Sequence, residues 1–191
     1  MDISHILQNP IVNYARDFAK KVHGAQTWTE GLPYVAHLDS VAEVLLHFAK
    51  KVDFIAEDFN TLVAAAYLHD VVEDTNVTIT DIDKQFGLEI ALLVNAVANE
   101  PGKNRKERHD RTYPKILNAG VKAVTLKFAD RIANFEKCIQ TKSDLIDMYQ
   151  KEGGRFLRYF EFCVPLEMYE HLKSLHVAIE TNKEATMITG H

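Results

Sequence analysis

Apolar residues recur at helical spacing along most of the chain. Val12, Ala15, Phe18, Ala19 and Val22 share one face of a segment from Ile11 to Val22 that Pro10 introduces. After a loop from Gly24 to Pro33, a second stripe appears at Val41, Val44, Leu45 and Phe48. Asp58 reads as the N-cap of a third helix that runs to about Val72 and contains the longest strictly apolar run, Leu62 to Leu68. Thr78-Ile79-Thr80-Asp81 has the form of a capping box, Gly87 stops that short helix, and Leu88 to Ala98 forms the next. The polar stretch Glu100 to Asp110, with Pro101 and Gly102, starts as a loop. Helices from about Tyr113 to Ala119 and from Val121 to Ile139 follow. Gly153-Gly154 breaks the chain again, and a last helix carries Met168, Leu172, Leu175 and Ile179 on one stripe. No strand pair of period two stands out. The pattern predicts an all-α domain whose helices pack around a central site.

Composition narrows the partners. A length of 191 residues suits one domain, or one domain with a modest extension. With 22 basic and 27 acidic residues the formal net charge is −5, which argues against a nucleic-acid partner but not against a small anionic ligand. The two cysteines, Cys138 and Cys163, form no CxxC and read as reduced interior thiols of a cytoplasmic protein. Met1 to His5 shows no basic segment followed by an apolar one, and Leu62 to Leu68 is far too short to span a bilayer, so no membrane partner is expected.

The chemistry concentrates in Leu68-His69-Asp70-Val71-Val72-Glu73-Asp74-Thr75. His69 and Asp70 offer an imidazole and a carboxylate to one small volume. If the helix continues, Glu73 lies over His69 and Asp74 over Asp70. The apolar run before them predicts burial, and unpartnered buried polar groups cost several kcal/mol; a cation would offset that cost. A lone His-Asp pair is weak, but three features strengthen it. His37 starts a new helix after Gly31-Leu32-Pro33-Tyr34. Asp130 interrupts the apolar helix Val124-Thr125-Leu126-Lys127-Phe128-Ala129, and Asn134 lies one turn beyond on the same face. Two imidazoles and two carboxylates suit an octahedral, partly hydrated Mn²⁺ or another divalent cation better than structural zinc. Such a cation would lower the pKa of a bound water and make a nucleophile near neutral pH.

His37, His69-Asp70 and Asp130 resemble the ligand pattern of the HD phosphohydrolase superfamily. The match is closer to its RelA/SpoT-type branch, the guanosine 3′,5′-bis(diphosphate) 3′-pyrophosphohydrolases, which includes small alarmone hydrolases. It is carried by His23-Gly24-Ala25-Gln26, Gly31-Leu32-Pro33-Tyr34-Val35-Ala36-His37, the His69 to Thr75 segment, Phe86-Gly87 and Leu126 to Asn134, in family order. These span roughly residues 10 to 137 of a single HD hydrolase domain over 1–191, with 140–191 as a helical extension. The resemblance implies a helical HD bundle around a metal site. It implies Mn²⁺ held by His37, His69, Asp70 and Asp130, and water attack on the 3′-diphosphate of ppGpp or pppGpp. Glu73 and Asp74 would orient and deprotonate that water. Asn134 would contact the nucleotide sugar, and Lys127 would shape or neutralise the site.

Two departures bear on the substrate. Many family members carry a basic residue two positions after the glutamine of the first loop, whereas here Gln26 is followed by Thr27 and Trp28. An indole stacks on a purine but supplies no cation. This keeps open hydrolysis of another phosphorylated nucleotide, such as (pp)pApp or NADPH, and a non-catalytic nucleotide-binding module stands as a third reading. The second departure is the basic cluster Lys103, Arg105, Lys106 and Arg108, where Lys103 and Arg105 are placed to clamp phosphates. His5, His47, His109, His171, His176 and His191 have no ligand-like context.

Overall fold

The computed structural model describes residues 8–49 and 56–189, and His5 and His191 lie outside them. The described residues are helical, apart from turns, loops and one isolated bridge between Thr27 and Pro33. Helix α1, Pro10–His23, starts where the Asn9 side chain accepts from the Ile11 amide at 3.0 Å. A loop with a 3-10 turn at Thr29–Gly31 leads to α2, Val35–Phe48. Helix α3, Ala56–Leu68, is buried on all sides from Leu62 onward and packs against α1 and α2. A helix that is apolar all round belongs in the centre of a bundle.

Both predicted ends of α3 need correction. The helix already includes Ala56, so Asp58 is a first-turn acid paired with Lys122 rather than the N-cap. At the other end the helix stops at Leu68, and a separate turn, α4, runs Val71–Asp74. His69 Nδ1 lies 2.8 Å from the Ala66 carbonyl, an acceptor that a continuing helix would offer to the Asp70 amide.

Helix α5, Ile79–Phe86, begins with the predicted capping box: Thr78 Oγ1 accepts from the Asp81 amide at 3.2 Å, and the Thr78 amide donates to Asp81 at 3.0 Å. It ends at Gly87, whose φ of 87° favours glycine, and α6 follows at Leu88–Val97. The stretch from Glu100 starts as a loop, as its composition predicts, but helix α7, Arg105–Ala119, begins eight residues earlier than the expected Tyr113. Asn104 caps it by accepting from the Glu107 amide at 2.9 Å, and Lys106–Asp110 and Glu107–Arg111 pair one turn apart. Its inward face reads His109, Thr112, Tyr113, Ile116, so half of the stripe is polar and a search for apolar periodicity misses it. Helix α8, Val121–Thr141, lies against α2, α3, α7, α9 (Leu145–Phe160) and α10 (Leu166–Thr189). Met168, Leu172 and Ile179 of α10 are buried, as their spacing predicts. None of the described helices is long and apolar enough to cross a membrane.

Gly153-Gly154 does not break the chain; both residues are inside α9. A Cβ on Gly153 would sit 2.0 Å from His176 Cε1, so glycine is what lets α9 approach α10 this closely. Gly154 is exposed, and a Cβ there meets only Arg158 at an ordinary 3.5 Å. Gly153→Ala is therefore expected to destabilise the fold by about 1–3 kcal/mol, as overpacking does. Gly154→Ala should stabilise it by about 0.5–1 kcal/mol through helix propensity. Opposite shifts of the urea midpoint at constant slope check this, and shifts of the same sign would refute it.

Burial, reinforced by Arg131 and opposed by Glu180, pushes His176 down from 6.5 to about 4. Between those values the unfolded chain takes up a proton that the folded state refuses. Stability is thus complete above pH 6.5 and falls as pH drops toward 4, by up to about 1.4 kcal/mol per pH unit for one such group. His109, pushed down to about 4 chiefly by burial, acts in the same direction. Urea unfolding at pH 7 and pH 5 should show the loss, and His176→Gln should reduce it. An unchanged pH slope in that variant would remove His176 from the account.

Candidate active site

Three elements converge on one point. The first turn of α2 supplies His37, the break after α3 supplies His69 and Asp70, and the middle of α8 supplies Asp130. His37 Nε2 lies 3.3 Å from Asp70 Oδ2 and 3.5 Å from Asp130 Oδ1. His69 Nε2 lies 3.2 Å and 3.8 Å from the same two oxygens. Ligand atoms of His37, His69 and Asp70 all fall within 4.8 Å of one another, a group that can hold a metal ion.

Surrounding groups fix each member. Tyr34 Oη donates to Asp70 Oδ2 at 2.7 Å. Lys127 Nζ donates to Asp130 Oδ2 at 2.9 Å, and Asn134 Nδ2 donates to Asp130 Oδ1 at 2.6 Å. His69 Nδ1, donating to the Ala66 carbonyl, leaves the Nε2 lone pair facing the carboxylates. That Nε2 is buried and has no hydrogen-bond partner. A lone pair turned toward two carboxylate oxygens is repulsive unless positive charge lies between them.

The electrostatics agree. Burial alone would lower His69, yet Asp70 and Asp130 override it and hold the imidazole well above 6.5. Burial alone would raise Asp70, yet His69 and His37 hold it well below the usual carboxylate range. Asp130 is likewise held low against burial, mainly by Lys127 and His69. The cluster therefore demands a cation or a proton at its centre. The nitrogens of His37 and His69 with the Asp70 carboxylate form a mixed donor set suited to a divalent transition metal.

The cluster opens into a cavity of about 230 Å³. Its lining includes Trp28, Tyr34, His37, Asp70, Asn99, Arg105, His109, Lys127, Asp130, Arg131, Asn134 and Tyr149. Glu73 and Asp74 are exposed. The Glu73 carboxylate accepts from both the backbone amide and the side-chain Nδ2 of Asn99, each at 2.9 Å. Gln26 Nε2 donates to the Asp74 carbonyl at 2.7 Å and joins the first loop to this turn.

An HD domain family model matches residues 15–154. The chain belongs to the HD-domain family. A relative in Homo sapiens, guanosine-3′,5′-bis(diphosphate) 3′-pyrophosphohydrolase MESH1, is 32% identical over 122 residues, or 63% of this chain and 65% of that protein. A guanosine-3′,5′-bis(diphosphate) 3′-pyrophosphohydrolase of Vibrio cholerae is 34% identical over 122 residues, 61% of this chain and 16% of that protein. The chain thus spans less than two thirds of the length of these curated relatives. Among solved structures, a metazoan ortholog of SpoT that hydrolyzes ppGpp superposes with a TM-score of 0.73 at 22% identity, covering 87% of this chain and 94% of that one. This likeness shows the fold.

The HD domain brings Trp28, Arg105, Lys127 and Asn134 to the cavity wall, whereas Lys103 is exposed and is not part of the lining. The Trp28 indole sits 5.1 Å from the His37 ring, and Lys137 Nζ lies 5.9 Å from the indole centre. His23 is buried, stacks on Tyr34 at 4.4 Å and contacts Gln26 Oε1 at 2.7 Å, so it braces the first loop. Sequence reasoning passed over Tyr34, Asn99, His109 and Arg131. Tyr34 belongs to the Gly31 to His37 motif, and its bond to Asp70, 36 positions away, has no signature in the local sequence. Asn99 pairs with Glu73, 26 positions away, and Arg131, inside the Leu126 to Asn134 stretch, pairs with Glu152, 21 positions away, so neither pairing is visible in local spacing.

Proposed function

We propose that this HD domain hydrolyses the 3′-diphosphate of guanosine 3′,5′-bis(diphosphate), releasing pyrophosphate and GDP, or GTP from the pentaphosphate. The observation that carries the reading is the convergence of two imidazoles and two carboxylates in a buried pocket, with the Glu73 carboxylate oriented beside it. The named activity of the Vibrio and human relatives supplies the substrate class. An alarmone substrate would place the protein in the cytoplasm.

His37, His69, Asp70 and Asp130 would hold the cation, with Mn²⁺ matching the mixed nitrogen and oxygen set. When bound it would supply Lewis acidity for activating water and neutralising phosphoryl charge. The chain's own groups do the rest. Tyr34 fixes Asp70, and Lys127 with Asn134 fixes both oxygens of Asp130. Glu73, oriented by Asn99, accepts the proton of the attacking water, with Asp74 beside it orienting that water. Arg105 meets phosphate oxygens, and Trp28 and Asn134 meet the nucleoside. The unit that acts includes α9, which contributes Tyr149 to the cavity wall.

A second reading rests on Trp28 itself. Its indole lines the cavity where a guanidinium or ammonium would favour guanine carbonyl recognition. The same machinery would then act on another phosphorylated nucleotide, an adenine alarmone or NADPH. The test is chelation of the protein, reconstitution with Mn²⁺, and parallel assays on ppGpp and ppApp. Mn²⁺-dependent turnover of ppGpp in preference to ppApp supports the first reading. Turnover of ppApp with inert ppGpp supports the second, and bound metal with no turnover of either refutes both for these substrates.

A further inference from the structure

The cavity wall holds an ion cluster that the metal site does not use. Arg105 Nε donates to Glu152 Oε1 at 2.6 Å, and Arg131 Nη1 and Nη2 donate to Glu152 Oε2 at 3.0 and 3.1 Å. The two arginines come from α7 and α8, and the glutamate from α9. Arg131 is buried, with its guanidinium carbon 4.9 Å from the ring centres of both Tyr149 and Phe156. Its Nε is buried and has no partner. Arg105 has 39% of its side chain exposed and also lines the cavity.

Glu152 is not itself a lining residue, but its carboxylate takes up guanidinium donors of two lining arginines that a phosphate or diphosphate group in the cavity would otherwise engage. Arg131 packs against the Tyr149 and Phe156 rings, which set the position of its guanidinium at the cavity wall. Two cations and one anion leave the Arg105–Glu152–Arg131 cluster with one net positive charge. Without Glu152 it would carry two, facing a ligand of several negative charges.

We propose that Glu152 is a specificity-determining counter-anion: it competes with phosphate oxygens for Arg105 and Arg131, weakens retention of the diphosphate leaving group, and so favours product release. This deepens the hydrolase reading and rests on it for the identity of the leaving group. Glu152→Gln keeps an acceptor for the arginines and removes the charge. A role limited to holding the arginines in place predicts the opposite sign, because the loosened arginines would bind anions less well.

The probe is inorganic pyrophosphate, titrated calorimetrically into the Mn²⁺-loaded full chain. Glu152→Gln should bind it about tenfold or more tightly, consistent with removing one charge from a partly buried site. In the substrate assay, KM and kcat should fall together. Glu167→Gln, an exposed acid on α10, controls for net charge and should bind like the parent. Unchanged or weaker binding in Glu152→Gln, or no pyrophosphate binding by either protein, overturns the proposal. If Glu152→Gln does not fold, Arg105→Gln carries the test: it must weaken pyrophosphate binding about tenfold, and unchanged affinity overturns the proposal. Tighter pyrophosphate binding by Glu152→Gln in a chain that leaves ppGpp intact would refute the hydrolase reading and not the role of Glu152.

Discussion

Asp70→Ala is expected to lose the bound divalent cation and all measurable turnover. Asp70 Oδ2 is the atom nearest both imidazole nitrogens, at 3.3 and 3.2 Å, and it alone is fixed by Tyr34. Removing it takes away one anionic donor and leaves Asp130, whose Oδ1 lies farther from the two imidazoles at 3.5 and 3.8 Å, so affinity should fall steeply. His69→Ala should behave alike, since its Nε2 is buried without a hydrogen-bond partner and lies 3.2 Å from Asp70 Oδ2. Tyr34→Phe makes the informative contrast. It removes only the hydrogen bond to Asp70, and such supporting contacts are worth about 10–100-fold in metal affinity or activity. Metal content after dialysis, read beside turnover, checks the series. Full activity of Asp70→Ala without bound metal would refute the metal assignment.

Glu73→Gln should keep the cation and lose about 10² to 10⁴-fold in kcat, the range for a positioned general base. The Glu73 carboxylate is exposed and taken up by Asn99 rather than by the imidazoles, so metal content should stay at the parental level. Its carboxylate is held by two donors of Asn99. Asn99→Ala removes one of those donors and leaves the base chemically intact, so its kcat should fall less. Parallel measurement of metal content and kcat separates the two roles. An unchanged rate in Glu73→Gln would move the base to Asp74 or elsewhere.

What could be read from the sequence follows from how locally each feature is encoded. The convergence of His37, His69, Asp70 and Asp130 is legible because His69-Asp70 ends an apolar run and Asp130 interrupts another, so burial of charge is visible in the residues themselves. The Thr78 cap and the Gly87 stop were legible for the same reason, as each acts within four residues. Helix α7 was not, because its inward face mixes His109 and Thr112 with Tyr113 and Ile116, and its charged pairs resemble a solvated loop. Gly153 was misread as a break because the reason for glycine is the His176 ring, 23 positions away and on another helix. The Arg105–Glu152–Arg131 cluster was invisible for the same cause: three elements supply it, and no spacing along the chain announces it.

Hydrolysis at the 3′-diphosphate is read out by product stoichiometry. Mn²⁺-loaded protein is incubated with ppGpp, and GDP, pyrophosphate, orthophosphate and residual nucleotide are separated and quantified. The account predicts GDP and pyrophosphate in equal amounts, no orthophosphate, and no products from Asp70→Ala. Release of orthophosphate with a partly dephosphorylated guanosine, or no consumption of ppGpp by metal-loaded protein, would contradict it.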